Sequence, residues 1–185
     1  GNALRYSIAR CHQYGITSVQ EASGTPTLLQ LYNEFDHSQE LNLFVMTHIV
    51  WGSEKWGDET VSGLDDLIAA RDKFSSRHVT TNATKVWMDG APLPPHFTQA
   101  GIEATSDGVQ LDKLLFDQKR LADKLTEWSQ LGIKPKMHVA GAGSVRVALN
   151  AIEDAYRGVP TQVPRPDLAH SNLISEVDVE RYAKL

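Results

Sequence analysis

A chain of 185 residues with 41% hydrophobic residues, 22% charged residues, 13 glycines and 8 prolines is ordinary globular material. That excludes collagen-like, disordered and disulfide-scaffold classes and predicts one domain, residues 1–185, with a sizeable core. A net charge of −5 without a basic cluster gives no electrostatic footprint for nucleic acid or an anionic membrane surface. The single cysteine, Cys11, cannot form an internal disulfide or a thiolate cluster, so any metal would take nitrogen and oxygen ligands, and a reducing, cytoplasmic setting is expected.

From the N-terminus, Ala3 to Tyr14 places Leu4, Ile8 and Cys11 at helical spacing, with Gly15 as the cap that ends the helix. Ile16 to Glu21 is short and β-branched and reads as a strand ending at Glu21. Thr25-Pro26 then caps a helix through Gln39. Leu41 to Ile49, which carries His48, is the second strand. The apolar run it opens, to Trp51, is interrupted by Asn42, Thr47 and His48 and falls far short of the roughly 20 residues of a bilayer span. A loop with Gly52, Gly57 and Gly63 leads to a helix over Leu64 to Phe74.

Arg77 to Asn82 reads as connection, and Ala83 to Gly90 as a third strand carrying Lys85. The stretch from Gly90 to Gly108, with Pro92, Pro94, Pro95 and His96, is the longest irregular segment, and loops of that length are usually functional or mobile. Leu111 to Leu131 is a long amphipathic helix closed by Gly132. Lys134 opens a short strand that delivers His138 at its C-terminal end, the chain breaks on Gly141-Ala142-Gly143, and a helix runs from Ser144, its N-cap, to Tyr156. Arg165 to His170 is the last strand, and a helix from Ser175 completes the chain.

Strands that alternate strictly with helices argue a parallel sheet covered by helices. A doubly wound sheet and a (β/α) barrel fit that alternation equally well. Gly141-Ala142-Gly143 is not a dinucleotide fingerprint, because Val147 stands where the third glycine would be. In either fold, function gathers at the C-terminal edge of the sheet, where Lys85, His138 and His170 can converge.

Neutral imidazole is the commonest protein ligand of zinc, and a site assembled from separate strand ends needs no close sequence spacing. Lys85, followed by Val86-Trp87-Met88, would be costly to bury while charged. Either its side chain points to solvent, or it is neutralised by deprotonation or by carbamylation, which would make it an anionic oxygen ligand able to bridge two metals. Glu21 and His48 also end strands, and Asp89 opens an Asp-Gly turn; these three are expected to support the site from behind or to bind substrate. His96 could reach substrate from its loop. His12, His37 and His78 receive no role, and no catalytic acid or base is assigned.

The ordered set of Tyr14-Gly15-Ile16-Thr17-Ser18-Val19-Gln20-Glu21, Lys85-Val86-Trp87-Met88-Asp89-Gly90, Met137-His138-Val139-Ala140-Gly141 and Arg165 through His170 spans nearly the whole chain. With Asp178, Arg181, Tyr182 and Leu185 after it, this set resembles the metal-dependent amidohydrolases, specifically the amidohydrolase family 3 branch that includes N-substituted formamide deformylase. The resemblance implies the α/β class and an incomplete parallel (β/α)-barrel, or TIM-barrel, fold in which this chain supplies strands two to six of eight. It implies Lys85 as the carbamylated bridging ligand and His138 and His170 as ligands of the second metal. The metal would be a divalent ion, zinc foremost, with one or two ions in the complete protein.

The implied reaction is hydrolysis of amide-type, non-peptide C–N bonds in small molecules by a metal-activated water, in a pocket shaped by the loop from Gly90 to Gly108. The first-strand histidine pair and the eighth-strand aspartate of such enzymes are absent here. Gly141-Ala142-Gly143 also stands where relatives usually have Gly-Asp-Arg. The expectation is therefore a piece of a longer hydrolase, inactive by itself, that self-associates through uncovered sheet edges and apolar helix faces. The alternative is a non-catalytic binding or regulatory protein on the same framework.

Overall fold

The computed structural model describes residues 1–52, 55–56, 59–60, 63–103, 106, 108–157 and 163–185. Gly57 and residues 104, 105 and 107 of the long loop lie outside the described residues. The chain divides into two compact units, Gly1–Lys85 and Val86–Leu185.

In the first unit, α1 (Asn2–Gln13) turns Ile8 into a cluster with Phe35, Leu41, Leu43, Val45 and Val79, and Leu4 and Cys11 pack at its margin. The predicted helical spacing is therefore the buried face of that helix. Gly15, at φ 70°, supplies the left-handed turn that stops it. β1 (Ser18–Gly24) leads to α2 (Pro26–His37), where the Thr25 hydroxyl accepts from Leu28 N–H at 3.4 Å and proline occupies the first turn, as the sequence predicts.

β2 (Phe44–Val50) follows, then a short antiparallel ladder of β3 (Lys55–Trp56) and β4 (Glu59–Thr60). α3 (Leu64–Ala69) runs on into a 3-10 turn at Arg71–Phe74, and β5 (Val79–Trp87) begins inside the segment expected to be a connection. Polar Thr80, Thr81 and Asn82 hid that start. Val79 and Thr81 are nonetheless buried in alternation with their neighbours, which is the period of a strand. β1, β2 and β5 lie side by side and parallel, with Val19 opposite Val45 and Met46 opposite Thr80.

The second unit takes over at the last two residues of β5. A 3-10 turn at Leu111–Lys113 precedes α4 (Gln118–Gln130), so the helix starts later than the amphipathic pattern predicts. Asp117 sets the start, its carboxylate accepting from Arg120 N–H at 2.9 Å, while Leu111 and Leu115 are exposed. β6 (Lys134–Val139), α5 (Ala142–Tyr156), β7 (Asp167–His170) and α6 (Glu176–Lys184) complete the unit.

α4 and α5 pack together, and Leu121, Leu125 and Trp128 of α4 and Val145, Leu149 and Ile152 of α5 are buried. β6 and β7 are parallel, with His138 opposite Ala169 and Val139 opposite His170. The N-cap of α5 is Gly141, and Ser144 lies inside the helix. Ser144 is fully buried, and its hydroxyl faces two acceptors, the Asp89 carboxylate at 2.7 Å and the Gly141 carbonyl at 2.9 Å, rather than an N–H of the first turn. Among the described residues no helix is long and apolar enough to cross a membrane.

Candidate metal site

β6 alternates buried Pro135, Met137 and Val139 with half-buried Lys134, Lys136 and His138, so the same pleat that drives Met137 into the core projects His138 from the opposite face. Its Nε2 lies 2.8 Å from the Gly90 carbonyl oxygen. A carbonyl can only accept, so Nε2 carries the proton and donates, and the lone pair of the neutral ring sits on Nδ1. The ring of His170 stands edge-on to it, with centroids 4.6 Å apart and planes at 64°. His170 is the last residue of β7 and exposed, and its φ of 77° turns the chain away behind it. Ser171 N–H then returns to the Val139 carbonyl at 2.8 Å, which pins the turn to the end of β6. The ends of β6 and β7 thus bring two imidazoles together, one with its Nε2 already satisfied. Among the described residues no group of three or more His, Cys, Asp or Glu could hold a metal ion.

Asp89, just past the end of β5, is another organised group of the second unit. Its side chain is fully buried. Oδ1 accepts from Ala140 N–H at 2.9 Å, and Oδ2 from Gly141 N–H at 2.9 Å, Ala100 N–H at 2.9 Å and the Ser144 hydroxyl at 2.7 Å. The carboxylate therefore stitches the end of β5, the β6–α5 turn and the return of the long loop into one assembly.

The small residues of that turn have a steric reason. A Cβ on Gly141 would meet the Ala100 carbonyl oxygen at 1.9 Å, and one on Gly143 the Gly101 carbonyl oxygen at 2.3 Å. Ala100 O also accepts from Gly143 N–H at 2.9 Å, so the loop backbone covers the first turn of α5. Sequence reading missed this lock. Its signal is the pair of small-residue runs, Ala100-Gly101 and Gly141-Ala142-Gly143, that permit two backbones to touch.

His96 is exposed in a turn of the same loop, between Pro95 and Phe97. In the first unit, Lys85 is the last residue; it is 3% exposed, pairs with Val50 across the β2–β5 ladder, and accepts from Trp51 N–H at 2.8 Å through its carbonyl. Of the two readings of Lys85, the solvent-facing one fails. His48 is fully buried in β2 and donates from Nδ1 to the Glu21 carbonyl at 3.2 Å. The Glu21 carboxylate accepts from Ser23 N–H at 2.9 Å and the Tyr32 hydroxyl at 3.2 Å. Burial and that neighbouring carboxylate push the Tyr32 phenol well above its ordinary value.

The sequence matches the amidohydrolase family model over residues 1–185. The chain belongs to the amidohydrolase family. No curated protein matches it. Two solved structures share its fold. One is an uncharacterized metal-dependent hydrolase from Pyrococcus furiosus, 16% identical, with a TM-score of 0.66 over 98% of this chain and 35% of that one. The other is an uncharacterized metal-dependent hydrolase from Pyrococcus horikoshii OT3, 15% identical, with a TM-score of 0.64 over 98% of this chain and 34% of that one. This amidohydrolase chain thus spans about a third of the length of the structures it resembles. The likeness places its five parallel strands and alternating helices in the barrel class, as an incomplete TIM-barrel-type fold, and removes the doubly wound alternative.

Proposed function

We propose that this chain is the portion of a metal-dependent hydrolase that brings two imidazole ligands, His138 and His170, to a divalent ion, zinc foremost, and that the complete protein cleaves amide-type, non-peptide C–N bonds in small molecules. One observation carries the reading: His138 donates its Nε2–H to the Gly90 carbonyl in a hydrogen bond and leaves Nδ1 as the ligand atom. Metal-binding histidines characteristically donate their other ring N–H in this way, to a carbonyl or carboxylate that fixes the tautomer. The hydrolase fold of the two solved relatives supports the same reading.

A metal bound there would polarise a carbonyl and lower the pKa of bound water towards neutrality. This chain's own residues bind and orient: His138 is fixed by the Gly90 carbonyl, and its ring is flanked by that of His170. Lys85 keeps its proposed role as a carbamylated ligand because a lysine so buried is costly to hold as an ammonium. His96, Leu93 and Phe97 are exposed on the long loop and available to a substrate. The first-strand histidine pair and the eighth-strand aspartate that the resemblance implies are not among these residues, which supports a chain that is inactive by itself.

Zinc titration by calorimetry tests the reading. Wild-type chain is expected to bind a single zinc ion, and His138→Ala and His170→Ala each to abolish or sharply weaken that binding. Zinc binding that survives both substitutions unchanged would overturn the assignment.

A further inference from the structure

We infer that Asp89 is a positioning residue for His138: by tying down the backbone around it, Asp89 keeps the Gly90 carbonyl on Nε2 and so fixes the imidazole tautomer whose Nδ1 is free to bind. What Nδ1 then binds rests on the proposed function; the fixed tautomer does not.

The inference follows from where the hydrogen bonds of Asp89 go. Its partners Ala140 and Gly141 directly follow the strand that carries His138, and Ala100 closes the loop that begins at Gly90. The loop is closed a second time by Gly90 N–H to Thr98 O at 3.2 Å and Thr98 N–H to Ala91 O at 3.1 Å. Met88 N–H meets the His138 carbonyl at 3.0 Å, so the residue before Asp89 is bound to the backbone of the histidine itself.

Gly90 thus sits between two fixed points and has little freedom to withdraw its carbonyl from the ring. The carboxylate adds a direct contribution, because Oδ1 lies 3.6 Å from His138 Nε2. That is too long for a hydrogen bond. It is close enough for the negative charge to favour the proton on the nearer ring nitrogen. A carboxylate that merely stiffened the turn would satisfy the same backbone groups without setting the tautomer, and the two roles separate by experiment.

The measurement is the pair of ring ¹⁵N shifts of His138 in the full metal-free chain, taken well above the ordinary imidazole value of about 6.5. Wild type should show a protonated Nε2 and a bare Nδ1. Asp89→Asn sets an amide against donors that need an acceptor and should turn this into a mixture of tautomers. Ser144→Ala removes one donor from Oδ2 without adding bulk and should shift the signals the same way by less. Leu125→Ala, a core truncation in α4, should lower stability and leave the ring shifts alone. If Asp89→Asn does not fold, the Ser144→Ala spectrum decides.

Unchanged shifts in the folded lock variants, or equal shifts in Leu125→Ala, overturn the inference. Zinc affinity is read in parallel and should fall about 10- to 100-fold with the loss of a supporting partner. A wild type whose tautomer depends on Asp89 but which takes up no zinc keeps this inference and discards the metal reading. Zinc bound through His138 with a tautomer indifferent to Asp89 does the reverse.

Discussion

Each of the two units holds a buried aspartate close to a histidine, and the two pairs are built in opposite ways. In the first unit, Asp36 Oδ1 accepts from His78 Nδ1–H at 2.6 Å, while Oδ2 accepts from His78 N–H at 2.7 Å and the Ser76 hydroxyl at 2.5 Å. This pair lines an open hollow of about 450 Å³ together with Arg77 and His37. In the second unit, Asp89 gives most of its accepting capacity to backbone N–H groups, and His138 reaches past it to a carbonyl. Proximity of carboxylate and imidazole therefore says little about what the histidine can do. The nitrogen left over decides it: His78 has its Nδ1 engaged by charge, and His138 keeps its Nδ1.

The largest effect should come from removing the carboxylate that spans more chain. Asp89→Ala leaves Ala100, Ala140 and Gly141 N–H without their acceptor in a site water does not reach, at about 1–3 kcal/mol for each group left unsatisfied, while the Ser144 hydroxyl keeps the Gly141 carbonyl at 2.9 Å. A loss of at least about 3 kcal/mol in urea unfolding is expected. Asp36→Ala should cost about 1–2 kcal/mol, since the His78 ring is partly exposed and can turn to water. Equal losses at the two positions would erase the contrast. Next in size is Gly141→Ala, whose Cβ would meet a backbone oxygen that cannot yield without releasing the loop. It should cost about 1–3 kcal/mol and speed hydrogen exchange at Ala100 and in the first turn of α5.

Much of this architecture could be read from the sequence because the signals were local. Thr25-Pro26, Gly15 and Gly132 declare helix ends through their own backbone chemistry, and β6 alternates because one face is buried. The start of β5 could not be read, since polar Thr80 becomes a strand residue only through Met46, the neighbour it pairs with. The site divides along the same line. His138 and His170 announce themselves at strand ends, and the structure brings their rings together. The role of Asp89 depends on partners 11, 51, 52 and 55 residues away, which no local pattern encodes. Gly141-Ala142-Gly143, which resemblance alone marks as a loss of charged residues, is explained instead by contact with Ala100 and Gly101.

The smallest expected effect, and the one that isolates the first pair, is on the pH dependence of stability. Burial opposes the charge of Asp36, and the bonds from Ser76, the His78 ring and His78 N–H outweigh it, holding the carboxyl below its ordinary range. A carboxyl depressed in the folded state stabilises above its unfolded value of about 3.9 and loses that contribution as pH falls through the lower folded value. Wild-type chain should therefore lose stability between about pH 5 and pH 3, and Asp36→Asn should lose less over the same interval. Glu40, held below its ordinary value by Arg5, titrates in both proteins and cancels in the difference. Urea midpoints of the two proteins that converge as the pH falls would show that the Asp36 pair is held by charge. Midpoints that stay parallel would reduce it to an ordinary hydrogen bond.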